Sequence, residues 1–209
     1  MIVAITGDIG AGKSAAATFL AEDFVCPLLD ADKITDSLWQ LDSIKGIFVD
    51  RWGEEILNPS GDIIKSEVAR RIFSDVNEYT FCNSVIHPLV MDELEAKAKD
   101  FQKLGFKHVI LEVPLLFEAY ETLPDWIDMT IYVTADFDIR LIRCQTQRGW
   151  DENELKRRES FLLPFEKKFF SCDYKIKNDG DLDKLSKRCY EIFVNILIYE
   201  RKQELKNKK

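Results

Sequence analysis

The run Gly7-Asp8-Ile9-Gly10-Ala11-Gly12-Lys13-Ser14 has the order glycine, four residues, glycine, lysine, then serine or threonine. Consecutive backbone N–H groups in such a loop point at phosphate oxygens, and a helix opening near Lys13 adds its positive end. The Lys13 ammonium reaches the terminal phosphates, and the Ser14 hydroxyl is placed to ligate magnesium. The loop speaks for a nucleotide without saying which reaction is run on it. A second group, Asp30-Ala31-Asp32, reads as the end of a strand. Residues two apart on an extended chain point the same way, so both carboxylates are expected beside the transferring phosphoryl group. One would orient and deprotonate an acceptor hydroxyl while the other holds hydrated magnesium. The alternative is that one of them caps the following helix, Asp30 above all.

Glu112 lies near the end of an apolar run, just before Val113-Pro114, where an acid facing the magnesium is expected; the alternative is a surface carboxylate. Arg140, Arg143 and Arg148 recur on or after one helical stretch, and Arg158 follows. Guanidinium groups over a γ-phosphate neutralise the charge that spreads on it during transfer, although some of these arginines must be ordinary solvated helix charges. His87, at an expected helix start before Pro88, is a substrate contact or a satisfied structural histidine. His108 opens a strand, and neither histidine has a metal-ligand partner at helical spacing. Trp39, Phe48 and Trp52 read as core.

The elements that must position these residues alternate in type. Short apolar runs at 2–5, 26–29, 108–113, 129–133 and 174–177 read as strands, and stretches at 14–20, 66–73, 88–104, 137–148 and 182–204 read as helices. Alternation of this kind predicts a parallel sheet covered on both faces, with ligands at the carboxyl ends of the strands. Residues 35–105 are too long for a simple crossover and form a helical lobe suited to a second substrate. Residues 148–169, charged and carrying Pro164, read as a mobile flap, and 200–209 as a solvated, fraying helix end.

At 209 residues, 46% hydrophobic and 32% charged, the chain fits one globular domain with insertions, and no window approaches the roughly 18 apolar residues of a membrane span. The apolar run into the glycine loop lacks the look of a signal peptide, which places the protein in the cytoplasm. A net charge of -8 opposes nucleic acid as a partner but permits a small phosphorylated ligand. Five cysteines without a CxxC pair suggest neither a zinc site nor disulfides, and all five read as buried small apolar residues in a reducing compartment.

With these residues in hand, the chain resembles the dephospho-CoA kinase family over residues 2–193. The resemblance rests on an ordered series: the phosphate loop, Asp30-Ala31-Asp32, residues 61–73, Ile86-His87-Pro88-Leu89-Val90, Pro114-Leu115-Leu116-Phe117-Glu118, and Cys172-Asp173-Tyr174 leading to Asn178 and Gly180. It implies a P-loop NTPase fold of the nucleoside monophosphate kinase type, an α/β fold with a five-stranded parallel sheet, a helical substrate lobe at 35–105 and a lid at 148–169. It also implies transfer of the γ-phosphoryl group of ATP, with magnesium, to the ribose 3′-hydroxyl of dephospho-CoA, by a monomer or small homo-oligomer. By position, the resemblance makes Asp32 the base, with Lys13 and Arg140 beside it in catalysis. Gly10, Ala11, Gly12, Lys13, Ser14, Arg143, Arg158 and Asn178 would bind ATP, with Asn178 near its adenine. Asp30, Lys65 and His87 would face the acceptor, and Ser14 with Glu112 the metal. Asp8 stands where the family usually has glycine, Lys65 where it has arginine, Glu112 where aspartate is commoner and Leu162 where a lid glutamine is usual. Two rivals are a kinase for another small hydroxyl or phosphate acceptor and a nucleotide switch; the chain has no Asn-Lys-x-Asp guanine motif.

Overall fold

The computed structural model describes residues 1–119 and 123–207. The apolar run of β1 (Ile2–Gly7) is buried along its whole length and feeds the glycine loop into α1 (Lys13–Phe24). β2 (Leu28–Asp30) leads to α2 (Ala31–Leu38), followed by α3 (Asp42–Trp52), α4 (Lys65–Ile72) and α5 (Val76–Lys103). The chain then returns through β3 (Val109–Glu112), α6 (Leu116–Ala119), β4 (Met129–Thr134) and α7 (Phe137–Arg148). It ends with α8 (Glu152–Glu159), α9 (Phe165–Ser171), β5 (Tyr174–Lys177) and α10 (Leu182–Asn207). The sheet is the expected parallel one of five strands, in the order β2-β3-β1-β4-β5. β1 is central, with Ile5 level with Glu112 of β3 on one side and with Ile131 of β4 on the other. Its loop therefore opens at the point where connections diverge to opposite halves of the sheet, the crevice where such folds bind ligands.

Each face of the sheet carries its own core. Ala4, Leu111 and Val113 pack with Phe48, Trp52, Ile86 and Leu94 of the helices between β2 and β3. Val3, Ile5 and Ile131 pack with Leu20 of α1 and with Leu185, Cys189 and Ile196 of α10. Trp39, Phe48 and Trp52 are core, as their placement in the sequence suggested: Trp39 and Phe48 have centroids 4.5 Å apart, Phe48 and Trp52 4.8 Å. The Trp52 indole N–H donates to Glu78, 2.6 Å away, so its polar edge is satisfied.

Three expectations need correction. Asp30-Ala31-Asp32 is not a strand end throughout, because β2 stops at Asp30 and Ala31 opens α2. Pro88 does not start a helix; it lies inside α5, whose buried stripe of Tyr79, Cys82, Ile86, Val90, Met91, Leu94 and Ala98 runs past it on both sides. Burial along that stripe outweighs the roughly 3 kcal/mol that an interior proline costs, and the helix starts at Asp75, whose carboxylate accepts from the Asn77 and Glu78 N–H groups. Cys26 is only half-buried, unlike the other four cysteines. The end of α10 is tethered only at Glu200, which meets the buried His108 Nε2 at 2.9 Å; residues 201–206 continue the helix and are mostly exposed, the solvated end that the sequence suggested, while Lys208 and Lys209 lie outside the described residues. Among the described residues no helix is long and apolar enough to cross a membrane.

Candidate phosphoryl-transfer site

The phosphate loop has its shape because Gly7, Gly10 and Gly12 admit no side chain; at Gly10, φ 75°, a Cβ would sit 2.9 Å from the Arg140 carbonyl oxygen. Gly7, at φ 147°, lies so close to β4 that a Cβ would sit 2.0 Å from the Val133 carbonyl oxygen. Gly12, at φ 90° in the left-handed region, would put one 2.5 Å from the Asn178 amide. That amide donates to the Ala11 carbonyl at 2.8 Å and is buried, so Asn178 clamps the loop from behind. Arg143 adds to the clamp by donating to the Gly10 and Ala11 carbonyls and to those of Asn178 and Gly180.

Asp8 is turned away from the phosphate side. Its carboxylate accepts from the Tyr132 hydroxyl and the Thr134 hydroxyl of β4, each at 2.6 Å. The negative charge that a glycine-rich loop would not carry is thus spent on anchoring the loop to the sheet, and burial together with this bond holds the Tyr132 phenol far above its ordinary range.

Facing the mouth of the loop is a cavity of about 410 Å³, lined among others by Gly10, Gly12, Lys13, Ser14, Asp32, Glu112, Arg143, Arg148 and Asn178. The Lys13 ammonium donates to the Gly7 and Asp8 carbonyls at 3.2 and 3.0 Å. Burial lowers its pKa to about 8, and only partly do the charges of Glu112 and Asp32 offset that. The Ser14 hydroxyl donates to Glu112 Oε1 at 2.7 Å. Glu112, 6% exposed at the end of β3, is raised above the usual carboxylate range by burial first, against the Ser14 bond. Asp32 is raised as well, by burial and then by the Asp30 charge, with Lys13 and Arg148 opposing.

Asp30 and Asp32 take different parts. Asp30 Oδ1 accepts from the N–H groups of Asp32 and Lys33 at 2.9 and 3.3 Å and so caps α2. That cap fixes the first turn of the helix and leaves Asp32, one residue into it, on the cavity wall. The two carboxylates differ in direction because helix geometry, not strand parity, governs the step between them.

Several expected residues lie elsewhere. Ala11 is fully buried under the loop. The Arg140 guanidinium is engaged by Glu159 of α8 and by the Ala135 and Ile9 carbonyls, and it lines a different cavity. Arg158 is held by Glu154 and lies between the rings of Phe73 and Trp150, 4.3 and 4.1 Å from their centroids. Lys65 is exposed and pairs with Asp36 at 2.6 Å. His87 is mostly buried, its pKa lowered to about 4 by burial, and it shares a small cavity with Asp32 rather than the main one. Arg148 is the lid-side arginine that does line the cavity; it was one of several arginines in the sequence, and only its place at the last turn of α7 distinguishes it.

A family model described as dephospho-CoA kinase matches residues 1–184. A dephospho-CoA kinase of Leptospira interrogans is 31% identical over 204 residues, covering 94% of this chain and 93% of its own. A solved structure from Thermus thermophilus superimposes with a TM-score of 0.73 at 27% identity over 93% of this chain and 97% of that one. The structure of a dephospho-CoA kinase from Campylobacter jejuni gives 0.66 at 19% identity, covering 93% and 96%, a likeness of fold.

Replacing Asp8 by glycine is expected to strand the buried Tyr132 hydroxyl, costing about 1–3 kcal/mol in urea unfolding, while ATP affinity changes less than about threefold because the carboxylate does not face the phosphates. An unchanged midpoint would show that the anchor carries no stability.

Proposed function

The chain belongs to the dephospho-CoA kinase family, and on that premise we propose that Asp32, Lys13, Ser14, Glu112 and Arg148 carry out its reaction. The reaction of the family is transfer of the γ-phosphoryl group of ATP to the ribose 3′-hydroxyl of dephospho-CoA, giving CoA and ADP in the last step of coenzyme A synthesis. The observation that supports this assignment is the convergence of a half-buried ammonium, a hydroxyl and two raised carboxylates on one cavity at the strand ends.

Phosphoryl transfer of this kind needs little covalent help; positioning and neutralisation dominate. The loop N–H groups and Lys13 take up the phosphates, whose charge favours the ammonium form that burial lowers. Asp32 accepts the proton of the acceptor hydroxyl while its oxygen forms the new bond to the γ-phosphorus and the bond to the β,γ-bridging oxygen breaks. A raised pKa suits Asp32 to this, because a base closer to the operating pH is stronger when it takes the proton. Arg148 supplies positive charge from the lid side, with Arg143 and Asn178 holding the loop in register. Asp30 serves the acceptor side through the cap that positions Asp32.

Magnesium suits the Ser14 hydroxyl and the Glu112 carboxylate, an oxygen-only pair at the loop. When bound, the ion neutralises charge on the phosphate oxygens. Residues 35–105 are the acceptor lobe and 148–169 the lid of one kinase domain, and the free thiols suit a reducing cytoplasmic setting.

Asp32→Asn should leave ATP binding within about twofold of the parent and lower kcat by roughly 10²–10⁴; near-normal turnover would remove Asp32 from the base role. The same residue sets a sign in pH. Its carboxyl is raised above 3.8, so the active carboxylate is lost earlier as pH falls. The acid limb of kcat/KM therefore lies above the ordinary aspartate range, and a limb at or below that range contradicts the assignment. Arg148→Ala should lower kcat by roughly 10²–10³ with ATP affinity little changed, whereas Arg140→Ala should mainly loosen the α7–α8 contact and lower Tm; the reverse pattern would return the transition-state role to Arg140.

A further inference from the structure

A larger cavity, about 780 Å³, lies beside the phosphoryl-transfer cavity, between α5 and the lid. Its wall includes Tyr79, His87 and Met91 of α5, Phe117 and Glu118 of α6, and Phe161 beyond α8. Among the described residues four buried side-chain polar atoms have no hydrogen-bond partner, and three of them, the Tyr79 hydroxyl, His87 Nε2 and Glu118 Oε2, belong to residues of this one wall. Buried polar atoms are nearly always paired, so their concentration at a single cavity marks a place built for a polar ligand.

The cavity leads back to the chemistry. Asp32 lines both the phosphate cavity and a constriction of about 50 Å³, and His87, Met91 and Ala119 line both that constriction and the large cavity. A ligand whose hydroxyl reaches Asp32 thus has its adjoining part directed here.

The wall specifies what that part is. Glu118, whose side chain is 6% exposed, has one oxygen engaged by Lys168 Nζ and the Leu163 N–H, both at 3.2 Å. Lys168 balances its charge, so the other oxygen offers a strong acceptor without a net field for a cation. Burial keeps His87 neutral near pH 7, with a pKa of about 4, and pushes the Tyr79 phenol up to about 12. The Asn83 amide opposes that rise, although it forms no hydrogen bond of normal geometry with the hydroxyl. A diphosphate at Glu118 would meet a carboxylate whose ammonium partner, Lys168, is already paired, and the other lysine of the wall, Lys167, is exposed to solvent. A flat, uncharged heteroaromatic ring with an N–H donor fits the aromatic walls and the free acceptor together.

We infer that this cavity seats the adenine ring of the acceptor, with Glu118 accepting a hydrogen bond from its exocyclic 6-amino group and so selecting adenine over a 6-oxo purine. The inference rests on dephospho-CoA being the acceptor.

The test compares kcat/KM for dephospho-CoA and for its hypoxanthine counterpart. The parent enzyme is expected to favour the adenine form by about 10–100-fold, the range for one hydrogen bond to a charged group. Glu118→Gln, whose amide can donate to a 6-oxo group, should shrink that preference to about threefold or less. Because losing the Lys168 pair could unfold the protein, Tyr79→Phe provides a second reading. It should leave Tm unchanged, its hydroxyl having no protein partner to lose, and raise KM for dephospho-CoA by about three- to tenfold. Equal kcat/KM for the two bases in the parent enzyme overturns the inference while leaving the acceptor intact. Sensitivity to shortening the pantetheine chain, with both bases equal, assigns the cavity to that chain instead. Failure of the parent enzyme to phosphorylate dephospho-CoA at all overturns the acceptor reading and this inference with it.

Discussion

A half-buried ammonium at the mouth of a tight loop is the constraint around which this molecule is arranged. Lys13 has two carbonyl oxygens as partners, and burial lowers its pKa to about 8 against the opposing field of Glu112 and Asp32. The loop that holds this group has little freedom to relax. Gly7 against β4, Gly12 against Asn178, and the carbonyl contacts of Arg143 deny it that freedom. Anionic oxygens at the loop would add partners that the Lys13 ammonium can still take.

The side of the cavity proposed for the acceptor is built on a different principle. Instead of a rigid backbone loop it uses a helix cap: Asp30 ends β2 and holds the first turn of α2, and this turn sets Asp32 beside the phosphate cavity. The long helix α5 brings His87 to the constriction next to Asp32 and Tyr79 to the larger cavity beyond it. The lid meets the same helices through Phe73, whose carbonyl accepts from Arg157 and whose ring packs on Arg158 and Phe161. Phe161 also lines the large cavity, so a ligand placed there touches lid and lobe together. Arg140 and Arg158 do not line the cavity at the phosphate loop in this arrangement; Glu159 and Glu154 engage them.

What the sequence could reveal divides by the distance over which each feature is determined. The phosphate loop is local chemistry, and β5 and α7 begin and end where their patterns do, because turn residues bracket them. For Asp30 the sequence left two readings open, strand end or helix cap, because the cap depends on where β2 stops and alternating apolar residues do not mark that point. Pro88 suggested a helix start by a local rule, which a buried stripe of seven residues overrode. The anchoring of Asp8 joins residues 124 and 126 positions apart, and the pairing of Glu118 with Lys168 spans 50, separations at which no motif operates. Arginines were legible as a group and not as individuals: their roles follow from which carboxylates happen to stand opposite them, a property of the packed helices alone.

The most direct measurement of the central claim is the identity of the phosphorylated product. With ATP, magnesium and a panel of dephospho-CoA, adenosine, AMP and shikimate, phosphorus NMR of the products should show a new phosphate monoester only on dephospho-CoA, at the ribose 3′-oxygen, with one ADP released for each. A product on another acceptor, or on another oxygen of dephospho-CoA, would contradict the placement of Asp32 beside that hydroxyl.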